Sequence, residues 1–323
     1  MKAKILVTGC AGFIGSKTVE FLLARGKDVV GIDNFNDAYD VRIKKYRLRQ
    51  LKKSKKFIFH KSDIENEHAL NRIFKENQFF AVINLAARAG VRYSVENPYV
   101  YINTNVMGCL NLLECSRKHG VENVVVASTS SLYQNQGRPF KEGVTPDMSP
   151  SPYAASKKGA EALCQSYAHL YGMNVTVLRY FTVYGPAGRP DMSPFRFIHW
   201  IDSDQPVQVT GDGTQSRDFT YVDDIADGTI KALSLSGFHL INLGGSKPHA
   251  LNELIRLIEK YTGKKANIKY FPVNRADAKT TWADNSDAQK KLKWSPSVSL
   301  EAGIQKTVEW HRNEKKMLDK IKL

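Results

Sequence analysis

Glycines at positions 9, 12 and 15 follow the apolar run Ile5-Leu-Val and precede an amphipathic segment, in the stretch Val7-Thr-Gly-Cys-Ala-Gly-Phe-Ile-Gly15. Between a strand and a helix, such glycines let the backbone turn tightly and approach a pyrophosphate. They also let the helix pack close, with its positive N-terminal end on the phosphates. Gly-rich turns also occur as ordinary connections, so context must decide. A second apolar run, Val29-Val-Gly-Ile32, ends in Asp33, where an acid would hold a ribose 2′-hydroxyl. The pattern predicts a bound dinucleotide, NAD rather than NADP, because the Asp33 carboxylate would repel a 2′-phosphate.

The first half alternates strand and helix patterns. Strands are predicted near 3–9, 28–33, 57–61, 79–84, 122–128 and 174–180, with helices near 13–25, 67–77, 99–119 and 153–172. This alternation predicts an α/β fold, a Rossmann doubly wound parallel sheet with ligand sites beyond the carboxyl ends of its strands. After Tyr180 the pattern loosens into Gly- and Pro-rich loops. Leu240-Ile-Asn-Leu243 reads as a late strand returning to the sheet, and Leu251–Tyr261 and Leu300–Trp310 as helices of a smaller unit. The expected division is an NAD-binding domain over 1–180, with a returning segment near 217–250, and a smaller C-terminal α/β substrate domain in the remainder of 181–323.

At 323 residues the chain can bury a sizeable core. No stretch is long and apolar enough to span a bilayer, and with Met1 running almost directly into the first strand no signal peptide is expected. Cys10, Cys109, Cys115 and Cys164 form no CxxC pair, which suits a reduced cytoplasm rather than a disulfide or zinc framework. Cys10 reads as a small residue filling a tight loop, or as an oxidation-sensitive point. No histidine or carboxylate spacing suggests a metal site.

The formal charge is +15, much of it in Arg42–Lys56 and in the tail from Arg312. The first stretch has helical spacing, with Ile43, Tyr46 and Leu51 as packing residues and a basic, solvated outer face. No nucleic-acid motif or interleaved aromatic pattern accompanies it. A positive field suits an anionic small substrate.

Tyr153-Ala-Ala-Ser-Lys157 carries the chemistry. At i and i+4 on a helix, the two side chains share a face. A nearby ammonium and a positive nicotinamide ring both favour phenolate, so Tyr153 could serve as a base near neutrality. A bare Tyr–Lys pair is commonly a surface pair, but here a dinucleotide turn lies upstream and the hydroxyl cluster Ser128-Thr-Ser-Ser131 closes the fifth strand.

Over nearly its whole length the chain resembles the extended short-chain dehydrogenases/reductases, in the nucleotide-sugar epimerase and dehydratase group. Thr8-Gly-Cys-Ala-Gly-Phe-Ile-Gly15 is similar to that family's TGxxGFIG turn. The resemblance implies cofactor contacts from Gly9, Gly12, Phe13, Ile14, Gly15, Asp33, Asn34, Asp63, Ile64, Leu85, Ala86, Ala87, Tyr153 and Lys157. It implies a catalytic Tyr153–Lys157 pair, with Thr129, or more weakly Ser130, on the sugar's reacting oxygen. Arg217 would grip the nucleotide diphosphate and Asp277 reach the nucleoside ribose. A homodimer pairing the helices near 99–119 and 153–172 is likewise implied.

Within the group, Ala89–Pro98 and Arg179–Phe195 are most similar to the UDP-glucuronate 4-epimerases. That resemblance associates Thr182 and Arg189 with a sugar carboxylate, and a guanidinium can clamp a carboxylate through two parallel hydrogen bonds. Arg88 and Arg92 could face the same cleft or serve structure. Related dehydratases carry Asp-Glu after the threonine, and related decarboxylases a glutamate; here Ser130 and Ser131 stand there. Ser131, Thr182 and Arg189 would hold the carboxylate out of line with a 4-ketone and so restrain loss of CO₂. Two departures from the pattern are Gln134, where VYG is usual, and Asn274, with Arg275 one place from the usual arginine.

The implied activity is reversible inversion at C4 of UDP-glucuronate, giving UDP-galacturonate through a 4-keto sugar, with retained NAD. An epimerase for UDP-glucose or UDP-N-acetylglucosamine is the nearest alternative. A non-catalytic NAD-binding regulatory module is a further one. No nucleic acid or membrane partner is expected.

Overall fold

The computed structural model describes residues 4–133, 136–144, 148–273 and 278–323. From the N-terminus run β1 (Lys4–Thr8), α1 (Phe13–Ala24), β2 (Val29–Asp33), α2 (Val41–Leu51), β3 (Phe57–Lys61), α3 (Glu67–Glu76) and β4 (Phe79–Asn84). Next come α4 (Val91–Glu96), α5 (Tyr99–Tyr101), a π-helical turn over Ile102–Met107, α6 (Gly108–Lys118), β5 (Asn123–Thr129), α7 (Pro152–Tyr171) and β6 (Asn174–Tyr180). The second half holds β7 (Thr182–Tyr184), α8 (Ser193–Asp202), β8 (Val207–Thr210), β9 (Ser216–Tyr221), α9 (Val222–Lys231) and β10 (Phe238–Leu243). It closes with β11 (Pro248–Ala250), α10 (Leu251–Thr262), β12 (Ile268–Phe271), α11 (Leu300–Asn313) and α12 (Lys315–Leu318).

Seven strands form one sheet in the order β10-β6-β5-β4-β1-β2-β3, and every pairing in it is parallel. Helices cover both faces, so the strands are apolar on both sides. Ile5, Val7 and Val125 pack on one face with Val19 and Leu22 of α1, Ile225 of α9 and Trp294. Their neighbours Leu6, Val124 and Val126 pack on the other, with Leu70 and Phe74 of α3, Leu112 of α6 and Ala160 of α7. The strand read at Leu240–Leu243 returns to this sheet, beside β6. A three-stranded sheet (β11-β9-β7) and a two-stranded sheet (β12-β8) carry a separate apolar cluster, in which α8, α10 and α11 cover β8 and β9.

Strand order reverses between β1 and β4, and ligands of such sheets bind in the crevice at that point. Gly9 (φ +65°) leaves β1 there and lies against the chain leaving β4: a β-carbon on it would stand 2.7 Å from the Ala86 amide nitrogen. A side chain is therefore excluded both by backbone conformation and by space.

Two expectations need correction. The helix expected over 99–119 is broken by the π-turn. In α2, Ile43 and Leu51 pack inward and Tyr46 is half-buried, but Lys44 and Arg47 are buried too. Apolar spacing could not show this, because each cation is turned inward by carbonyl oxygens: Lys44 Nζ donates to the Asn36 carbonyl at 2.7 Å, and Arg47 Nη2 to that of Ala187 at 2.6 Å.

Candidate active site

The N-terminus of α1 carries no side-chain cap and no acid in its first turn. Its backbone N–H donors are thus left for an anion. A β-carbon on Gly12 would lie 2.9 Å from the Gly9 carbonyl oxygen, and one on Gly15 closer still, so the turn closes only on glycine. Asp33, at the end of β2, accepts from the Ala11 amide (3.0 Å) and the Phe35 amide (2.8 Å), which fixes its carboxylate beside the turn. Asn34 donates to Asp63 (2.7 Å), joining the ends of β2 and β3. Ile64 packs against Gly108, where a β-carbon would meet it at 2.6 Å. Phe13 is buried as the first residue of α1, with Ile14 beside it. Leu85, Ala86 and Ala87 leave β4 across from Gly9. The cradle, the uncapped helix end and the anchored acid together fit a dinucleotide.

Cys10 lies under this turn, fully buried, and burial together with the Asp33 charge pushes its thiol well above the ordinary range. Its sulfur fills the space beside Gly31, in line with the small-residue reading. All four cysteines are free and buried. Among the described residues, no group of three or more His, Cys, Asp or Glu side chains could hold a metal ion.

Ser151 caps α7, accepting from the Ala154 amide at 3.2 Å, and Pro152 starts the helix. Tyr153 and Lys157 therefore sit one turn apart on its inward face, both buried. Burial raises the Tyr153 phenol, opposed by a hydrogen bond with Thr129 and by the Arg189 charge. Thr129 in turn bonds Ser131 Oγ (3.1 Å), and the Ser131 amide donates to Thr129 Oγ1 (3.1 Å). Ser130 stands partly buried in the same turn. Lys157 Nζ donates to the Ala127 carbonyl (2.9 Å), and burial brings its ammonium down to about 8. Burial thus opposes charge on both groups. An added positive charge beside Tyr153 would favour its phenolate.

Several side chains that frame this pair are not apparent from the motif. Asn105, in the π-turn, clamps the Arg88 backbone in both directions (2.9 and 3.0 Å) and donates to Ser156 Oγ (2.9 Å) beneath Tyr153. Such turns are frequent at functional sites. Glu161, one turn beyond Lys157, accepts a two-point contact from Arg179 (2.9 and 2.7 Å) and a 2.5 Å bond from Ser128. The Arg179 guanidinium lies 4.6 Å from the centre of the Tyr133 ring. Arg47 donates to the carbonyls of Ala187, Gly188 and Ala11 (2.6, 2.8 and 3.2 Å), tying the glycine turn to the loop after β7. A glutamate at i+4 from the motif lysine was a visible signal; the roles of Asn105 and Arg47 had none.

Arg189 is brought close enough to Tyr153 for their charges to interact. Its guanidinium, however, does not stand open. Nε and Nη2 reach the two oxygens of Asp191 (3.1 and 2.6 Å), and Nη2 also faces the Ala89 carbonyl at 3.4 Å. Burial works against the Arg189 charge, but Asp191 outweighs it and holds the group above its ordinary value. The expected free clamp is in this structure a closed internal pair. Thr182 opens β7, in register with Phe219 of β9. Arg217, in β9, donates to the Ser216 carbonyl at 2.8 Å. Arg88 approaches Asp37 at 3.7 Å. Asp277, Asn274, Arg275 and Gln134 lie outside the described residues.

A parallel doubly wound sheet, a glycine cradle at its switch point and a buried Tyr–Lys pair beside it define a nucleotide-dependent enzyme fold of the short-chain dehydrogenase/reductase type. A family profile described as GDP-mannose 4,6 dehydratase matches residues 6–307, and the chain belongs to that family. The chain is 54% identical over 319 residues to a UDP-glucuronate 4-epimerase of Thermodesulfobacterium geofontis, covering 98% of this chain and 99% of the relative. The UDP-glucuronic acid 4-epimerase of Bacillus cereus, solved with UDP-glucuronic acid and NAD, superposes with a TM-score of 0.91 at 36% identity, covering 96% of this chain and 99% of the other. A UDP-glucose 4-epimerase of Thermotoga maritima, solved with UDP-glucose, gives 0.90 at 33% identity, covering 97% and 99%.

Proposed function

We infer that this chain is an isomerase that inverts C4 of UDP-glucuronate reversibly, giving UDP-galacturonate, with NAD as its retained cofactor. The observation that carries the reading is the buried Tyr153–Lys157 pair facing Thr129 at the carboxyl end of β5, in a chain closely similar over its length to a UDP-glucuronate 4-epimerase. NAD held by the glycine cradle supplies a hydride acceptor and donor for C4. In the roles we assign, Tyr153 Oη takes the proton of the C4 hydroxyl and later returns it. Thr129 positions the C4 oxygen, with Ser130 as the weaker candidate. Lys157 favours the phenolate and reaches the nicotinamide ribose. Arg217, with Asp277, anchors the UDP end, and Ser131, Thr182 and Arg189 face the sugar carboxylate. Firm anchoring at the nucleotide leaves the oxidised sugar free to turn over between the two proton transfers.

On this reading residues 1–180, with the returning segment near 217–250, bind NAD, and the rest of 181–323 binds the nucleotide sugar. We further propose a homodimer built on α5–α6 and α7, where Tyr99 and Leu170 are exposed at 79% and 67%, and a cytoplasmic location, which suits four unpaired cysteines. No helix of the described residues is long and apolar enough to cross a membrane. One observation favours the neutral-sugar alternative, UDP-glucose or UDP-N-acetylglucosamine: the Arg189 fork is already occupied by Asp191.

Tyr153→Phe tests the roles. Turnover of UDP-glucuronate should fall by about 100-fold or more while NAD remains bound. Unchanged turnover would remove the base role from Tyr153, and a parent protein that binds NAD but leaves UDP-glucuronate unaltered would point instead to a binding module.

A further inference from the structure

The Arg189–Asp191 pair sets a problem for any substrate that carries a carboxylate. Both groups lie in the loop that follows β7, with side chains exposed by only 21% and 35%. The contact is two-pointed, Nε to Oδ1 at 3.1 Å and Nη2 to Oδ2 at 2.6 Å, which is the geometry a sugar carboxylate would itself use. The Arg189 guanidinium also lies 5.7 Å from the centre of the Tyr39 ring, and its Nη2 faces the Ala89 carbonyl at 3.4 Å. These contacts leave the cation in place whichever carboxylate holds its fork.

An epimerase must also let its oxidised sugar turn over, so a carboxylate bound to Arg189 has to let go. A sheltered guanidinium left without a partner at that moment is strongly disfavoured, which would hold the sugar in its first orientation. A second carboxylate within reach removes the difficulty.

We propose that Asp191 is an exchange partner for the substrate: it holds Arg189 at rest, yields the fork to the carboxylate of UDP-glucuronate, and takes it back while the sugar rotates. Asp191 is a positioning residue in this account, acting through Arg189, and the inference rests on the functional reading above. It predicts that removing the aspartate charge tightens substrate binding and slows turnover together. A carboxylate whose only role is to hold the loop would give the opposite effect on binding.

The test compares the parent protein with Asp191→Asn, Asp191→Ser and Asp191→Glu, using UDP-glucuronate turnover, UDP-glucose binding and thermal melting. With Asn or Ser, KM for UDP-glucuronate should fall about fivefold, the factor that corresponds to losing one modest ion-pair competitor. The kcat should fall by a similar factor, and the dissociation constant for UDP-glucose, which has no carboxylate, should not move. Asp191→Glu should restore the parent pattern. A KM that rises or stays put, a KM that falls with kcat unchanged, or the unfolding of both variants overturns the exchange. A parent protein that leaves UDP-glucuronate unaltered overturns the functional reading itself. A parent that epimerises it, with an indistinguishable Asp191→Asn variant, overturns the exchange alone.

Discussion

Glu161→Gln removes one charge from a sealed network while nearly preserving its shape. Glu161 and Arg179 have side chains exposed by 11% and 4%, joined at 2.9 and 2.7 Å. Arg179 Nη1 already has no hydrogen-bond partner among the described residues. Taking one partner from such a pair leaves a buried guanidinium uncompensated, at a cost of about 3–5 kcal/mol. With the average unfolding entropy per residue, that loss lowers the melting temperature of a 323-residue chain by about 4–7 °C. A second effect is separable. Glu161 lies one turn from Lys157, and its negative charge opposes the fall of the Lys157 ammonium that burial brings to about 8. In the variant Lys157 loses its proton at lower pH, so the alkaline decline of kcat moves down by about half to one pH unit. Calorimetry and a pH–rate profile measure the two effects. The double change Glu161→Leu with Arg179→Met should recover most of the melting loss, since an apolar pair of similar volume carries no desolvation cost, but not the pH shift. A Glu161→Gln protein melting within about 1 °C of the parent, with an unmoved profile, would refute the reasoning.

Three other perturbations follow from the geometry. Thr129→Val removes the hydroxyl bonded to Tyr153 and should lower kcat by about 100-fold with little change in UDP-sugar affinity; steady-state kinetics with isothermal titration would check it. Arg47→Met strips three carbonyls of their donor and detaches the loop after β7 from the glycine turn; a loss of about 2–4 kcal/mol should appear in denaturant melts, with weaker retention of NAD. The third concerns acid. His311 is buried against His199, whose ring centre is 5.5 Å away, near Asp202, Lys315 and Asp319, and burial foremost depresses it from 6.5 to about 4. Between those values the unfolded chain binds a proton that the folded chain refuses, so stability falls as pH drops through that window, by about 3 kcal/mol in all. His311→Leu should flatten this dependence, and equal acid losses in parent and variant in urea melts would count against it.

Much of the fold was legible because its signals are local. Parallel strands buried on both faces read as continuous apolar runs such as Val29–Ile32, and the glycines at 9, 12 and 15 mark a backbone conformation that few residues tolerate. The Tyr153–Lys157 pair was legible for the same reason, since i and i+4 share a helix face. Arg47 illustrates what was hidden: within a run of cations its burial depends on carbonyls of Ala187 and Gly188, some 140 positions away. The π-turn at Ile102–Met107 shifts Asn105 with no glycine or proline inside it. Arg189 stands near enough to Tyr153 for their charges to interact, but motif resemblance carries no information on which acid answers it, and Asp191, two residues on, does.

The central claim, retained-cofactor epimerisation of a uronic acid, is tested most directly by an NMR time course of the purified protein with UDP-glucuronate and no added NAD. The account predicts growth of UDP-galacturonate to a stable mixture of the two sugars, without a UDP-pentose. A UDP-pentose product would contradict the carboxylate-restraining role given to Ser131, Thr182 and Arg189. No conversion, even after NAD is supplied, would contradict the account as a whole.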